Sequence, residues 1–146
     1  MITSGSQQGL DLLGKTFLNE GDDIIIEEPG YLGAIQAFSV YKTSFNPVVV
    51  GEHGMDTKNL DHVLTSSNPK LIYTVPNFQN PSGISYSEEN RKTIAEIIKD
   101  EKLYLIEDDP YGELRYKGTA NSSFKQLIPE KTIMLGSFSK TVVPGF

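Results

Sequence analysis

The sequence of 146 residues predicts an α/β fold of three layers, in which helices cover both faces of a mainly parallel β-sheet. Two observations lead to this prediction. Short apolar runs alternate along the chain with segments whose hydrophobic residues recur at helical spacing. Most of these runs are apolar throughout, which is typical of strands that are buried on both sides. The length corresponds to one domain.

The first third of the chain is predicted to contain strands and helices in alternation. Residues 2–3 resemble the end of a strand, and residues 4–6 supply serines that can cap the following helix. The apolar stripe of that helix consists of Leu10, Leu13 and Phe17. Three consecutive isoleucines favour a buried strand over residues 23–27. A helix over residues 32–41 and a strand over 47–51 follow. The residues of this second helix that we expect to face inward are Ile35, Phe38 and Val40.

The rest of the chain continues the same alternation. A short helix is predicted over residues 56–65, and a longer one begins near Ser85, since Ser85-Tyr86-Ser87-Glu88 matches the capping-box pattern. The inward stripe of the longer helix consists of Ile94, Ile97 and Ile98. Residues 112–129 are predicted to form a polar loop. The remaining strands are predicted over residues 70–76, 103–106 and 132–135.

Composition restricts the classes of function. A net charge of −6 and a pI of about 4.9 argue against binding of nucleic acid or an acidic membrane by bulk electrostatics. The chain has no cysteine, which excludes disulfides and thiolate metal sites. His53 and His62 lie in polar segments, so we expect surface residues rather than metal ligands. Without a signal-peptide pattern or a long apolar run, a cytoplasmic location is the default expectation.

Polar motifs follow the predicted strands, and parallel sheets bind ligands at the carboxyl ends of their strands. Ser137-Phe138-Ser139-Lys140 comes directly after the last strand. A lysine in this place, with hydroxyls one and three residues before it, has the form of a Schiff-base lysine that holds a carbonyl cofactor such as pyridoxal phosphate. The same tetrapeptide is also typical of an exposed turn, so this motif alone leaves both interpretations open.

Asp108 and Tyr111 are the most informative pair. Asp108 ends a buried strand, where a carboxylate without a partner is costly. A pyridinium nitrogen is a suitable partner, since the pairing keeps that nitrogen protonated and makes the ring an electron sink. Tyr111 could then reach the phenolic oxygen of such a ring. The alternative is a carboxylate satisfied by a helix N-terminus or by Arg115.

Three further positions fit the same cofactor. Ser6 and Gln7 lie at a predicted helix start, where free backbone N–H groups favour an anion such as phosphate; an ordinary helix cap is the alternative. Tyr31 could stack on a flat ring or simply close its loop. Asn80, in a segment with turn composition, could donate to a phenolate oxygen or bond only to its own backbone.

Taken together, these stretches resemble the large domain of a pyridoxal-phosphate enzyme of the aspartate aminotransferase superfamily, that is, a class I/II aminotransferase of fold type I. Within this superfamily, the motif sequences are similar to those of 2-aminoadipate/kynurenine-type aminotransferases and of the aminotransferase-like domains of GntR/MocR-type regulators. The five matching motifs occur in the family's order over the whole chain. They are Gly5-Ser6-Gln7-Gln8-Gly9, Glu28-Pro29-Gly30-Tyr31, Asn80-Pro81-Ser82-Gly83, Asp108-Asp109-Pro110-Tyr111 and Ser137-Phe138-Ser139-Lys140.

The resemblance implies a role for each matching residue. Lys140 would hold pyridoxal 5'-phosphate as a Schiff base and then move the proton between the substrate α-carbon and the cofactor. Asp108 would pair with the pyridine nitrogen, and Tyr31 would stack on the ring. The resemblance assigns the phenolic oxygen to Asn80 and Tyr111. It assigns the phosphate to Ser6, Gln7, Ser137 and Ser139.

The chain also departs from the family pattern. Members of the family are more than twice as long, so we expect residues 1–146 to be a partial pyridoxal-phosphate-binding large domain without the N-terminal arm and the small C-terminal domain. The family's arginines for the cofactor phosphate and the substrate carboxylate fall outside this chain, and neither Arg91 nor Arg115 matches them. We therefore expect the isolated segment to be inactive and to bind the cofactor weakly or not at all.

The leading hypothesis is a segment of a transaminase that moves an amino group between an amino acid and a 2-oxo acid. The resemblance further implies a homodimer for the full-length protein. An effector-sensing domain of a GntR/MocR-type regulator is the alternative, in which nucleic acid would be bound only by a separate domain. A carbon–sulfur lyase or decarboxylase on the same fold is a third possibility.

Overall fold

A computed structural model describes residues 1–143 and shows a six-stranded sheet in the order β3-β2-β1-β4-β5-β6. The strands are β1 Asp23–Glu28, β2 Ser44–Gly51, β3 Gly54–Met55, β4 Pro69–Thr74, β5 Tyr104–Asp108 and β6 Thr132–Leu135. All neighbouring strands are parallel except β3, which pairs with β2 in the antiparallel direction. The parallel strands therefore end at one common edge.

Helices cover both faces of this sheet. They are α1 Gly5–Phe17, α2 Leu32–Ser39, α3 Thr57–Ser66, α4 Glu88–Ile98, α5 Phe124–Leu127 and α6 Phe138–Thr141, and a 3-10 turn spans Gly112–Leu114. The predicted three-layer α/β fold is confirmed. No helix within residues 1–143 combines the length and the apolar character that crossing a lipid bilayer requires.

Two hydrophobic cores, one on each face, hold the layers together. The first contains Ile24 and Ile26 of β1 with residues of α1 and α2, such as Leu10 and Phe38. The second contains Ile25 with residues of α3, α4 and α5. Successive side chains of a strand point to opposite faces. The isoleucine run of β1 is therefore apolar throughout because both faces of the sheet are covered.

Several predicted elements differ at their ends. Residues 1–3 are not in a strand. The helix predicted over 32–41 ends at Ser39, so Val40 is 72% exposed rather than turned inward. Residues 112–129 are not only loop, since they include the 3-10 turn and α5, which has its own capping box at Ser123. The short strand β3 was not predicted, because two residues carry no periodic signal.

The start of α4 is shifted relative to its prediction. Ser87, not Ser85, caps the helix, and its hydroxyl accepts a hydrogen bond from the Asn90 backbone N–H. The Ser85 hydroxyl instead accepts from the Phe78 backbone N–H at 3.0 Å. The predicted capping box of Ser85 and Glu88 is therefore wrong, because Ser85 belongs to the preceding loop and Ser87 is the N-cap residue.

Candidate active site

A cleft of about 200 Å³ lies at the carboxyl edge of the sheet. Its walls come from the start of α1, the loop after β1, the ends of β4 and β5, and the segment after β6. The residues that line it are Gly5, Ser6, Tyr31, Tyr73, Val75, Asn80, Asp108, Pro110, Tyr111, Ser137, Ser139 and Lys140. Residues from five distant parts of the chain thus meet because the parallel strands all end here.

All of the predicted site residues line this cleft except Gln7. The side-chain amide of Gln7 donates to the Gly33 carbonyl at 3.0 Å, which joins the start of α1 to α2. Ser6 and Gly5 are the residues of the first motif that reach the cleft. Lys140 and Asp108 lie in the same cleft, although 32 positions separate them in the sequence. The assignment of Gln7 to the phosphate stays a prediction.

Asp108 is a buried carboxylate at the end of β5. It is 3% exposed, and its Oδ2 accepts a hydrogen bond from the Tyr73 hydroxyl at 2.7 Å. Its Oδ1 has no hydrogen-bond partner among the described residues. Burial raises the pKa of Asp108 to about 6; Asp109 and Glu27 act in the same direction, while the Tyr73 hydrogen bond opposes them. Such a carboxylate is well suited to a cationic N–H donor.

Arg115 is not the partner of Asp108, contrary to one of the alternatives that the sequence left open. Its guanidinium donates to Asn77 Oδ1 at 3.2 Å and lies 4.9 Å from the centre of the Phe78 ring. Arg115 therefore stabilises the loop after β4, and the open oxygen of Asp108 remains available to a ligand in the cleft.

Tyr73 contributes to the site in a way that the sequence did not reveal. This residue lies within β4, and its hydroxyl fixes the orientation of the Asp108 carboxylate. Burial raises the pKa of Tyr73, and the charge of Asp108 adds to this effect. The phenol therefore stays protonated and donates its hydrogen bond. The only signal in the sequence was a hydroxyl-bearing residue inside an apolar run.

Tyr31 directly precedes α2, as its N-cap residue, and is half-buried. Its ring packs against the backbone of Gly33, where an added Cβ would come within 2.7 Å of the ring and its hydroxyl. A glycine at position 33 therefore allows the ring to lie over the start of the helix. Tyr31 also lines the cleft, so an aromatic ring forms part of its wall.

Lys140 lies in α6, the short helix that follows β6. Ser137 caps this helix, since its hydroxyl accepts a hydrogen bond from the Ser139 backbone N–H at 3.3 Å. Lys140 is solvent-exposed and lines the cleft together with both serines. An amine and two hydroxyl-bearing residues thus share the side of the cleft that β6 positions.

A network of buried charges lies behind the cleft and was missed by the sequence reasoning. Arg91 of α4 is fully buried and donates to the carbonyls of Tyr86, Pro76 and Ser122 and to Asn77 Oδ1. Glu107 of β5 accepts from two backbone N–H groups at the start of α5 and lies 4.0 Å from Arg91. Arg91 thereby fixes the loop after β4, which carries Asn80, and Glu107 fixes the start of α5.

Comparison with known proteins agrees with this architecture. The family model for aminotransferases of class I and II matches residues 1–144. The chain belongs to this family. The aminotransferase-family chain is 42% identical to aromatic-amino-acid aminotransferase 1 of Thermococcus litoralis, over 100% of its own length and 36% of the relative's. It is also 35% identical to the uncharacterised HTH-type transcriptional regulator YisV of Bacillus subtilis, over 99% of the chain and 30% of the regulator.

A solved structure matches the fold of this aminotransferase-family chain closely. It is LysN, the α-aminoadipate aminotransferase of Thermus thermophilus, crystallised with N-(5'-phosphopyridoxyl)-L-leucine. The TM-score is 0.94 at 41% identity, and the match covers 98% of this chain and 38% of LysN. The chain thus spans about a third of the length of these relatives. The resemblance inferred from five motifs is confirmed, for the aminotransferases and for the regulators alike.

Proposed function

We propose that the cleft holds pyridoxal 5'-phosphate and that the chain supplies the cofactor-binding part of an aminotransferase site. The observation that carries this proposal is the buried Oδ1 of Asp108, which has no hydrogen-bond partner within residues 1–143 and lies in a cleft that also contains Lys140. A buried acceptor without a partner calls for a donor from a ligand. In a pyridine aldehyde bound in this cleft, the carboxylate would pair with the ring nitrogen and the amine would react with the aldehyde.

Asp108 would hold the pyridine nitrogen. Its Oδ1 is free to accept the N–H of a protonated pyridine, while Tyr73 keeps the other oxygen in place. When bound, pyridoxal phosphate supplies an electron sink for the bonds at a substrate α-carbon. Because Asp108 is buried, its negative charge acts on the ring nitrogen with little screening by water.

The other cleft residues would hold the remaining parts of the cofactor. Tyr31 offers a flat face for stacking, and its ring is held by contact with Gly33. Asn80 and Tyr111 offer donors for the phenolic oxygen. Hydroxyl groups for the phosphate come from both ends of the chain, from Ser6, Ser137 and Ser139.

Lys140 would hold the cofactor covalently through Nζ. A lysine amine is a good nucleophile toward an aldehyde. The same amine is also the group that we assign to taking up and returning a proton at the substrate α-carbon. The amino acid and 2-oxo acid substrates are proposed for the family reaction as a whole, since the chain spans about a third of its relatives' length.

A titration with pyridoxal phosphate tests this proposal. Because the family's phosphate-binding arginine falls outside this chain, we expect weak binding, seen as a visible absorption band at high cofactor concentration. This band should be lost in Lys140→Ala and weakened in Asp108→Asn. Lys125→Ala is the matched control, because Lys125 is an exposed lysine that bonds backbone carbonyls away from the cleft. An equally strong band in Lys140→Ala would refute the role of Lys140.

A second candidate is an effector-sensing domain of a transcription regulator. It is favoured by the match to an HTH-type regulator over 99% of the chain. The cleft would then bind the cofactor or its adduct without turnover. A winged-helix segment encoded upstream of residue 1 would support the regulator, whereas amino transfer by the full-length protein would support the enzyme.

A further inference from the structure

Two loops on the rim of the cleft meet through one buried side chain, that of Gln79. The first loop follows β1 and leads to Tyr31; the second follows β4 and contains Asn80. Gln79 is 1% exposed and is not among the residues that line the cleft. Its side-chain amide makes four hydrogen bonds, which use both its nitrogen and its oxygen.

The amide nitrogen of Gln79 binds the loop that carries Tyr31. Nε2 donates to Glu27 Oε2 at 2.9 Å and to the Pro29 carbonyl at 2.8 Å. Pro29 is two residues before Tyr31, and Glu27 is the penultimate residue of β1, two positions before Pro29. Both protons of the amide are therefore used on the chain that positions the Tyr31 ring.

The amide oxygen of Gln79 binds the turn that carries Asn80. Oε1 accepts from the Ser82 backbone N–H at 2.8 Å and from the Ser82 hydroxyl at 2.6 Å. The Gln79 backbone also bonds across the same turn, to the Ile84 carbonyl at 2.8 Å. Asn80 lies between Gln79 and Ser82 in the sequence, so these hydrogen bonds restrain its position.

Glu27 shows why replacing the Gln79 amide should be costly. Oε1 of this buried carboxylate accepts from the Thr74 hydroxyl, the Val75 backbone N–H and the Tyr86 hydroxyl. The hydrogen bond that Oε2 receives comes from Gln79. Loss of the amide would leave a buried carboxylate oxygen without that donor, which is costly. Thr74, in contrast, donates to Glu27 from the end of β4 rather than from the turn that carries Asn80.

We propose that Gln79 is a positioning residue that fixes Tyr31 and Asn80 relative to each other, so that ring stacking and contact with the phenolic oxygen occur together. The inference rests on the proposed function for its cofactor. A ligand that must touch two separate loops binds more tightly when the loops are held in place beforehand. Gln79 itself touches neither the cofactor nor the substrate.

Variants at two equally buried residues distinguish an effect on loop positioning from a general loss of stability. Gln79→Leu removes the connection between the loops, whereas Thr74→Val removes a different hydrogen bond to the same carboxylate. In hydrogen exchange of the chain without cofactor, Gln79→Leu should speed exchange of residues 28–34 and 77–84 by about tenfold, as expected for the loss of a hydrogen bond to a charged group. Thr74→Val should not single out these two segments.

The second readout is the affinity for pyridoxal phosphate, measured by the visible absorption band. We expect Gln79→Leu to weaken binding by about tenfold or more and Thr74→Val by less than about threefold. If Gln79→Leu does not fold, Gln79→Asn keeps the amide on a shorter side chain that cannot span both loops. It should show the same selective pattern in milder form.

The possible outcomes distinguish this inference from the function on which it rests. Equal losses of affinity in the Gln79 and Thr74 variants, or unchanged exchange of residues 28–34 in the Gln79 variants, would overturn the inference while leaving the proposed function intact. A wild-type chain without any absorption band would overturn the proposed function and the cofactor role of Gln79 together. Hydrogen exchange would then still decide whether Gln79 couples the two loops.

Discussion

At the scale of single residues, Asp108 combines burial with an incomplete set of hydrogen bonds. Burial raises its pKa to about 6, and the Tyr73 hydroxyl offsets only part of this effect. A carboxylate in this state weakens the protein by itself, since its charged form lacks a counterion. A cationic N–H group bound in the cleft would offset this cost of burying the charged carboxylate.

The raised pKa of Asp108 predicts how stability depends on pH. The folded state binds this proton more tightly than the unfolded state, for which the reference value is 3.8. The contribution of Asp108 to the free energy of unfolding should therefore fall by about 1.4 kcal/mol between about pH 5 and about pH 8. Asp108→Asn removes this contribution, because an amide does not titrate in this range.

Urea unfolding of the wild type and Asp108→Asn at both pH values checks this prediction. The wild type should lose stability relative to the variant as the pH rises. Asp61→Asn serves as a control for the removal of a carboxylate, since Asp61 is exposed on α3 and does not line the cleft. A constant difference between wild type and Asp108→Asn across this range would contradict the account of Asp108.

The sequence revealed those site residues whose chemical type stands out at the end of a strand. Lys140 and Asp108 were identified in this way, and both line the cleft. Tyr73 and Gln79 were not identified, because their roles depend on partners 35 and 52 positions away in the sequence, Asp108 and Glu27. Such contacts become visible only when the order of the strands is known.

At the scale of secondary-structure elements, the start of α4 shows how a local pattern can be read in the wrong register. Ser85 and Ser87 are both followed by residues suited to a helix start. Ser85 does not cap the helix, because its hydroxyl accepts a hydrogen bond from the Phe78 backbone N–H in the preceding loop. Ser87 then caps the helix, and Glu88 and Glu89 place negative charge in its first turn.

This assignment predicts a difference between two serine caps. Ser87→Ala should lower the free energy of unfolding by about 1 kcal/mol, since the Asn90 backbone N–H loses its acceptor. Ser4→Ala is the control, because Ser4 precedes α1 without a side-chain capping bond and should change stability by less than about 0.5 kcal/mol. Chemical denaturation measures both. Equal effects would contradict the assigned caps.

At the scale of the whole molecule, the sheet brings residues from both ends of the chain to one edge. This arrangement was predictable from the alternation of elements, since apolar strands such as β1 must be covered on both faces. The buried charges behind the edge were not predictable. Arg91 lies on a helix whose inward face was read from isoleucines alone, and its polar partners come from three other segments.

Arg91 should therefore be essential for stability although it does not line the cleft. Arg91→Met removes the cation near Glu107 and leaves several buried carbonyls without a donor, so we expect a loss of about 3–5 kcal/mol. Arg115→Met is the matched control, with an expected loss of about 1 kcal/mol, because Arg115 is only partly buried. Thermal and chemical unfolding compare the two. Similar losses would show that the buried network contributes little.

The central claim is that Lys140 and Asp108 face the same pyridine ring, and chemical trapping tests it most directly. The chain is incubated with pyridoxal phosphate, reduced with borohydride and mapped by peptide mass spectrometry. The account predicts that the phosphopyridoxyl label is attached to Lys140 in preference to every other lysine, with a clear reduction of this label in Asp108→Asn. Label distributed over exposed lysines such as Lys117 and Lys125 to the same extent as on Lys140, or unaffected by the Asp108 substitution, would contradict it.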